Sequence, residues 1–235
     1  MPPGTPAADQ LSLAFAALVF GLYGFVLLLL GRVAKCRLST VLLTALFLCG
    51  WLGLCAFLAV SGRLLADVEA VPPLLLQYVS LPAMAVVVLL SLWSRTGPFL
   101  DRIPADWLVS FQAFRIPMGL ILSGLAAQDV VHPRLTYRGY NFDIAAGVGA
   151  LLLGYLMHKR RAAPPTVLVF NLMGLGLLGV MLALSLLSLP TPFQYFRGGP
   201  SLRVVFHVPF VWLPGFALPV ALLGHLLSLR KWART

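Results

Sequence analysis

The chain has 235 residues, of which 60% are hydrophobic and only 10% are charged, and this composition excludes a soluble globular domain of its length. The formal net charge of +10 raises the possibility of a nucleic-acid-binding protein, but the positions of the cations between long apolar segments argue against it. We therefore predict an all-α integral membrane protein that has the lipid bilayer as its first partner and that binds no nucleic acid.

Seven apolar segments follow one another along the chain. Most are long enough for a helix that crosses a hydrocarbon layer of ~30 Å, which needs roughly 20 residues. They are also too uniformly apolar for the strands of a membrane barrel, which alternate lipid-facing and lumen-facing residues. The sequence predicts one domain, residues 1–235, built as a seven-transmembrane-helix bundle. The segments, numbered 1 to 7 in chain order, are 11–31, 39–61, 72–93, 105–128, 142–158, 166–189 and 204–229.

The basic residues are distributed unequally between the two sides of this bundle. Of the 17 lysines and arginines, those beyond the ends of segments 1, 3, 5 and 7 are Arg32, Lys35, Arg37, Arg95, Arg102, Lys159, Arg160, Arg161, Arg230, Lys231 and Arg234. The opposite connections carry Arg63, Arg134, Arg138, Arg197 and Arg203. Because basic residues favour the cytoplasmic side, we predict an outside N-terminus and a cytoplasmic C-terminus, in a bacterial-type inner (plasma) membrane.

Segment 4 contains the one basic residue that lies within an apolar segment. Arg115 is near the middle of the segment, where insertion of an arginine costs roughly 2.5 to 3.5 kcal/mol, so we expect it to face the bundle interior and to be paired. Gln112 lies three residues earlier on the same helical face. The sequence therefore predicts a buried polar cluster around Arg115, with Gln112 as one of its partners.

Segments 5 and 6 supply further members of this cluster. Asp143 starts segment 5, and Gly147, Ala150 and Gly154 follow it at helical spacing, which makes one face of small residues that allows a neighbouring helix to approach. We expect Asp143 to be the charge partner of Arg115, directly or through water. Asn171 in segment 6 is a further candidate for the same cluster.

Segment 7 has three prolines at intervals of five, Pro209, Pro214 and Pro219, which predict a bent helix. Within it, His207 and Trp212 are candidates for the wall of a cavity. His207 and His225 would lie ~27 Å apart along a helix, so the two cannot bind one metal ion. We expect no metal site and no cofactor.

The connections after segments 4 and 6 combine arginines with aromatic residues. Interfacial belts explain much of this composition, and the alternative is an extracellular vestibule that favours anions. If the vestibule exists, four aromatic side chains should pack on one another over the bundle: Tyr137, Tyr140, Tyr195 and Phe196.

Several functions are excluded by the residues that are missing. A retinal Schiff base needs a lysine inside the membrane, but Lys35, Lys159 and Lys231 all lie at or beyond segment ends. Hydrolase motifs of the HExxH and GxSxG types do not occur. We expect a protein that binds or transports a small anionic or amphiphilic molecule in an outward-facing cavity among segments 4 to 7. The alternatives are a membrane-embedded enzyme that uses His207 or Asp143 on a lipid-soluble substrate, and a non-catalytic scaffold or accessory subunit, as a homo-oligomer or within a complex.

Overall fold

A computed structural model describes residues 6–66, 68 and 70–234 of the chain. It is 77% helical and contains no strand among these residues, which confirms the all-α prediction. The α-helices are α1 (Pro6–Leu28), α2 (Leu38–Val60), α3 (Arg63–Ala66), α4 (Leu81–Leu92), α5 (Gly97–Arg102), α6 (Ala105–Ser110), α7 (Arg115–Ala127), α8 (Asp143–His158), α9 (Pro164–Ser188) and α10 (Leu218–Trp232).

Five continuous helical stretches in the described part of the chain are long and apolar enough to cross a membrane. A sixth candidate is formed by Leu76–Leu92 and Ser94–Arg102, which meet at a bend of 70°. Helix α8 is apolar but has only 16 residues, or about 24 Å of helix, which is short of the ~30 Å hydrocarbon layer. Several long apolar helices thus support a membrane protein. The five continuous stretches are Asp9–Val33, Leu38–Val60, Ala105–Ala127, Pro164–Ser188 and Leu213–Trp232.

The prediction of segment 7 as one helix over 204–229 is wrong at its start. A short 3₁₀ turn, Arg203–Phe206, is followed by irregular chain, and continuous helix begins only with a π-helical turn at Leu213–Ala217 that leads into α10. Pro209 lacks an amide hydrogen and disfavours helical backbone at the residue before it, which explains the delay. Segment 3 also starts later than predicted, since Pro72 and Pro73 precede its first helical residues.

Segment 4 is helical throughout but changes type just before its arginine. Helix α6 passes into a 3₁₀ turn, Phe111–Phe114, and α7 then begins at Arg115. Pro117 is the third residue of α7 and lacks the amide hydrogen that would otherwise bond to a carbonyl of the preceding 3₁₀ turn. The change of helix type therefore lies directly before the residue that carries the charge.

The largest hydrophobic cluster joins α1, α2, α7, α9 and the chain at 189–220, while α8 packs into a smaller one with α6 and α9. Helix α10 contacts α4, α6 and α9, while α8 contacts α6, α7 and α9. Helices α1 and α2 are peripheral, and most of their side chains face outward. Helix α2 is attached to the start of segment 7 by two indoles: Nε1 of Trp51 donates to the Gly215 carbonyl at 2.8 Å, and Nε1 of Trp212 donates to the Leu52 carbonyl at 3.0 Å.

The ends of distant helices meet at one end of the bundle, which we call the basic end because residues 159–161 and 230–234 lie there. Contacts at this end join Arg102 to Ala34, Asp106 to His158, Ser91 to Arg230, and Pro164 to Trp232. The connections 129–142 and 190–212 meet at the opposite end, which we call the loop end.

Candidate functional site

Arg115 is buried at the junction between the 3₁₀ turn and α7. Its side chain is 1% exposed, and its Nη1 lies 3.3 Å from Oδ1 of Asp143, the first residue of α8, whose side chain is 14% exposed. The expected ion pair between Arg115 and Asp143 is therefore present. Because a lone guanidinium inside a bilayer is costly, the carboxylate explains how the chain accommodates this residue.

The ion pair uses only part of the hydrogen-bonding capacity of Arg115. Nη1 and Nη2 donate to the carbonyl oxygen of Gly174 at 3.4 and 3.5 Å, which are long distances for hydrogen bonds. Nε has no hydrogen-bond partner among the described residues, and neither does Oδ1 of Asp143, whose contact with Arg115 lacks hydrogen-bond geometry. A fully buried cation is thus left able to bind a further acceptor.

Two glycines allow α8 to approach segment 4 closely enough for this pairing. A Cβ at Gly147 would lie 2.7 Å from Cγ1 and 2.9 Å from the backbone nitrogen of Ile116, and a Cβ at Gly154 would collide with the side chain of Ser110. Larger residues at these positions would push the helices apart. The small-residue face predicted for segment 5 therefore packs against segment 4 as expected.

A cavity of about 70 Å³ has Arg115 and Asp143 in its wall. The rest of the wall is almost entirely apolar and comes from α7, α9, α10 and the chain at 75–80 and 202–217. Asn141, Leu202 and Val205 close it at the loop end. The cavity thus places one charged pair at the edge of a leucine-lined space.

The open side of this cavity is apolar. Apart from Asp143 and Ser185, the lining residues that are partly exposed at the molecular surface carry no polar side chain: Leu76, Phe114, Leu182, Leu186, Pro214 and Leu218. An opening framed by such residues faces hydrocarbon more favourably than water.

A second group of buried polar side chains continues from Gly174 towards the basic end. Nδ1 of His225 lies 2.9 Å from Oδ1 of Asn171, and Nδ2 of Asn171 donates to Oγ of Ser228 at 2.9 Å and to the Val167 carbonyl at 2.8 Å. His225 and Asn171 are 0% exposed. A Cβ at Gly174 would collide with the imidazole, so this glycine lets the ring lie against α9.

Sequence reasoning gave Asn171 to the Arg115 cluster and set His225 aside. In the structure Asn171 instead hydrogen-bonds to His225 and Ser228, and the Gly174 backbone contacts Arg115. A signal for this arrangement was present, because Asn171 and Gly174 are three residues apart on one helix and His225 and Ser228 are three apart on another. Such matched spacing places both pairs on facing sides of neighbouring helices.

Gln112 is not a partner of Arg115, contrary to expectation. It is 0% exposed, and its Nε2 donates to the Ala221 carbonyl at 2.9 Å. Its side chain lies against Gly224 on α10, where a Cβ would be 2.5 Å from Nε2. The 3₁₀ turn separates Gln112 from α7, so the two residues do not share the face of one regular helix. The hydrogen bond from Gln112 therefore joins segment 4 to α10.

His207 and Trp212, predicted in the cavity wall, do not line it. Both precede the π-helical turn that starts at Leu213. Trp212 packs its ring 5.7 Å from Phe20 on α1 and donates to α2. The misplaced start of segment 7 explains both errors, because a helix through 207–212 would have directed these side chains along the same face as α10.

The two connections at the loop end contact one another, but the four aromatic rings do not make a single stack. Tyr195 and Phe196 meet edge to face at 5.3 Å. The guanidinium of Arg134 lies 6.0 Å from the Tyr140 ring and 5.0 Å from the Phe196 ring, and His132 lies 5.9 Å from Phe196. Arg134 and His132 therefore link the two connections.

Within the described part of the chain, no group of three or more His, Cys, Asp or Glu side chains could hold a metal ion. No protein-family model matches the chain, and comparisons with curated proteins and with solved structures find no significant match. The arrangement of side chains around Arg115 is therefore the basis for any functional conclusion.

Proposed function

We propose that the protein binds an amphiphilic molecule with an anionic head group in the cavity beside Arg115. The observation that carries the proposal is a guanidinium, 1% exposed, with an unpartnered Nε and only long hydrogen bonds, in the wall of an apolar cavity. A buried donor without an acceptor is unfavourable, and a ligand oxygen would remove that cost.

The geometry of Arg115 favours a forked acceptor. Nη1 faces Asp143, whereas Nε and Nη2 have no carboxylate partner among the described residues. These two nitrogens form the side of a guanidinium that binds a carboxylate, sulfonate or phosphate through two parallel hydrogen bonds. The head group would therefore lie on the side of Arg115 away from Asp143.

The remaining wall favours an apolar tail. Leucines from α7, α9 and the chain at 75–76 surround the cavity, and its open side is framed by apolar residues. A ligand that is dissolved in the bilayer could enter sideways and keep its tail in contact with hydrocarbon throughout. Transport of such a molecule, as opposed to its storage or sensing, would need a second conformation that opens the loop end.

The alternatives have less support. The enzyme hypothesis relied on His207 or Asp143; His207 does not line the cavity, and Asp143 is paired with Arg115. The scaffold hypothesis predicts a fully packed interior. A cavity beside a buried charge disfavours this hypothesis.

The proposal includes a membrane arrangement with seven crossings, an outside N-terminus and a cytoplasmic C-terminus. Contacts among residues 34, 91–106, 158–164 and 230–232 support it, because they bring together the segment ends that the charge bias assigns to the cytoplasm. A single cysteine introduced at Arg234 should resist an impermeant thiol reagent in intact cells and react after lysis. Reaction in intact cells would reverse the orientation.

Ligand binding is tested by calorimetry on the purified protein with a series of probes that share a tail or a head. We expect decanoate and decane-1-sulfonate to bind, while decan-1-ol and acetate bind at least about tenfold more weakly. Arg115→Gln should weaken binding of both anions by about tenfold or more. Arg63→Gln, at an exposed arginine that does not line the cavity, is the matched control.

A second variant tests the cavity without removing a charge. Leu182→Trp places a bulky side chain at the mouth and should abolish binding while leaving Arg115 paired. Equal affinity for decanoate and decan-1-ol, or unchanged affinity in both Arg115→Gln and Leu182→Trp, would disprove the proposed site.

A further inference from the structure

The imidazole of His225 is a buried titratable group that the proposed ligand does not contact. Both amide hydrogens of Asn171 are already donated, to the Val167 carbonyl and to Oγ of Ser228. Oδ1 must therefore be the atom that faces His225 at 2.9 Å, which requires that Nδ1 of the imidazole carries the hydrogen. Nε2 is left as a lone-pair acceptor in the neutral ring.

This lone pair lies next to the arginine site. Nε2 of His225 has no hydrogen-bond partner among the described residues. A Cβ at Gly174 would lie 2.5 Å from Nε2, and the carbonyl of the same glycine receives the Arg115 guanidinium. One glycine residue thus separates a buried base from a buried cation.

The charge balance of the site changes when an anion binds. In the empty site Arg115 and Asp143 neutralise one another, and the cation opposes a second positive charge on His225. An anionic head group at Arg115 leaves one negative charge in excess, and an uncompensated buried charge is expensive. A proton on Nε2 of His225 would restore neutrality at a short distance.

We propose that His225 takes up one proton when an anionic head group binds at Arg115, so that anion and proton enter the bundle together. This rests on the proposed function of the cavity. In the step, an O–H bond of a hydronium ion breaks and leaves water, and its proton forms an N–H bond with the Nε2 lone pair, which converts the imidazole to imidazolium. No other bond changes, and the anion and the proton together add no net charge.

Other charged groups on the elements that pack against α10 lie towards the basic end and are engaged with one another. Asp106 contacts His158, Asp101 contacts Arg234, and Lys231 donates to the carbonyls of Leu100 and Asp101. From α9 His225 meets the neutral Asn171 and Gly174 and the ring of Phe170. From α4, Ser91 hydrogen-bonds its own helix, and Arg230 on α10 is bound to residues 91–96. The charges nearest Gly174 are therefore Arg115 and its partner Asp143.

The test is titration calorimetry of the full-length protein with decane-1-sulfonate, whose head group stays ionised throughout. The binding enthalpy is measured at about pH 7 in two buffers of different ionisation enthalpy, because their difference gives the number of protons taken up. We expect about one proton per bound sulfonate in the wild type. The affinity of the wild type for the sulfonate should fall by about tenfold for each unit by which the pH rises. This applies over the pH range in which His225 is neutral in the free protein and protonated in the complex.

Two variants assign the proton to His225. His225→Gln should bind the sulfonate with proton uptake near zero. Asn171→Asp places a carboxylate beside the imidazole and should keep it protonated without ligand, so that uptake is also lost although the histidine and Arg115 remain. Loss of uptake in Asp143→Asn with uptake retained in His225→Gln would overturn the proposal in favour of Asp143. Binding without proton uptake in the wild type would refute the linkage alone, while absence of binding would refute the cavity function as well.

Discussion

Arg115 contacts two helices and keeps a free donor within the described part of the chain, and a lysine could not do both. Its guanidinium reaches a carboxylate on α8 and a backbone carbonyl on α9 at the same time, and it still keeps Nε free of partners among the described residues. The planar fork has five donors, whereas an ammonium is a compact point charge. The residue therefore connects two helices and retains the capacity to bind an anion.

A double-mutant cycle measures how strongly Arg115 and Asp143 depend on one another. Each alanine substitution alone leaves the other charge buried and unpaired, so the two separate losses of unfolding free energy should exceed the loss in the double variant by at least about 1 kcal/mol. Arg234 and Asp101 form a matched control pair, 3.0 Å apart but 44% and 61% exposed, and their coupling should be close to zero because water screens them. Additive losses for the buried pair would contradict the ion pair.

At the scale of elements, Pro219 removes the α-helical donor of a backbone carbonyl, and a side chain of another helix donates to that carbonyl instead. In an α-helix the carbonyl of Gly215 would receive the amide of residue 219, but that residue is Pro219 and has no amide hydrogen. Nε1 of Trp51 donates to this carbonyl at 2.8 Å and thereby attaches α2 to the start of segment 7. A proline in one helix thus determines where another helix is fixed.

Trp51→Phe should cost about 1 to 3 kcal/mol of unfolding free energy, because it removes the indole donor to the Gly215 carbonyl. Trp93→Phe is the control, since Trp93 is 51% exposed and should change stability by less than about 0.5 kcal/mol. Unfolding in a denaturing detergent titration provides both values. Equal losses for the two tryptophans would show that the hydrogen bond to Gly215 contributes nothing.

The loop end contains a histidine cap that should respond to acid. Nδ1 of His132 accepts the backbone amide of Arg134 at 3.1 Å. Burial, and then the charge of Arg134, lower the pKa of His132 below its usual value. A histidine whose pKa is lowered on folding stabilises the fold above its unfolded pKa of about 6.5, and this contribution is lost as the pH falls below that value.

Hydrogen exchange of the amides at 134–141 should therefore become faster, after correction for intrinsic rates, when the pH is lowered from about 7.5 to about 5.5. His132→Asn keeps an acceptor at the cap without a titrating group and should remove this dependence. An identical pH dependence in the variant would show that another group controls the connection.

At the scale of the whole molecule, the sequence predicted those features that depend on local pattern. Segments 2, 5 and 6 match α2, α8 and α9 to within two residues at each end. The pairing of Arg115 with Asp143 was also predictable, because few acids lie near a membrane segment and these two segments are joined by a short connection. Apolar composition and charge balance are sufficient for inferences of this kind.

Other features depend on how distant helices are aligned, which local pattern does not contain. The contact between His225 and Asn171 requires a particular axial register of α9 and α10, and that register is set by the close fit of the imidazole on Gly174. The error in the predicted start of segment 7 has a different cause. Its residues 204–212 are as apolar as those of a helix, and only the backbone restrictions of Pro209 indicate irregular chain.

The last helix also holds the bend between α4 and α5 in place. Nη1 of Arg230 donates to the carbonyls of Ser91 and Trp93 at 2.6 and 2.8 Å and to Oγ1 of Thr96 at 2.6 Å. These acceptors lie at the end of α4, where the following chain turns by 70°. Residues almost 140 positions apart in sequence therefore fix the shape of the basic end.

Arg230→Met keeps much of the apolar stem but removes these three hydrogen bonds, and it should cost about 1 to 2 kcal/mol because the site is partly exposed. The bend itself should loosen, so trypsin should cut after Arg95 or Arg102 faster than in the wild type at a temperature where both proteins remain folded. Arg161→Met, at an exposed arginine of the same end, should leave stability and cleavage rate unchanged. Equal cleavage rates in all three proteins would show that the bend is maintained by the packing of α4 and α5 and not by Arg230.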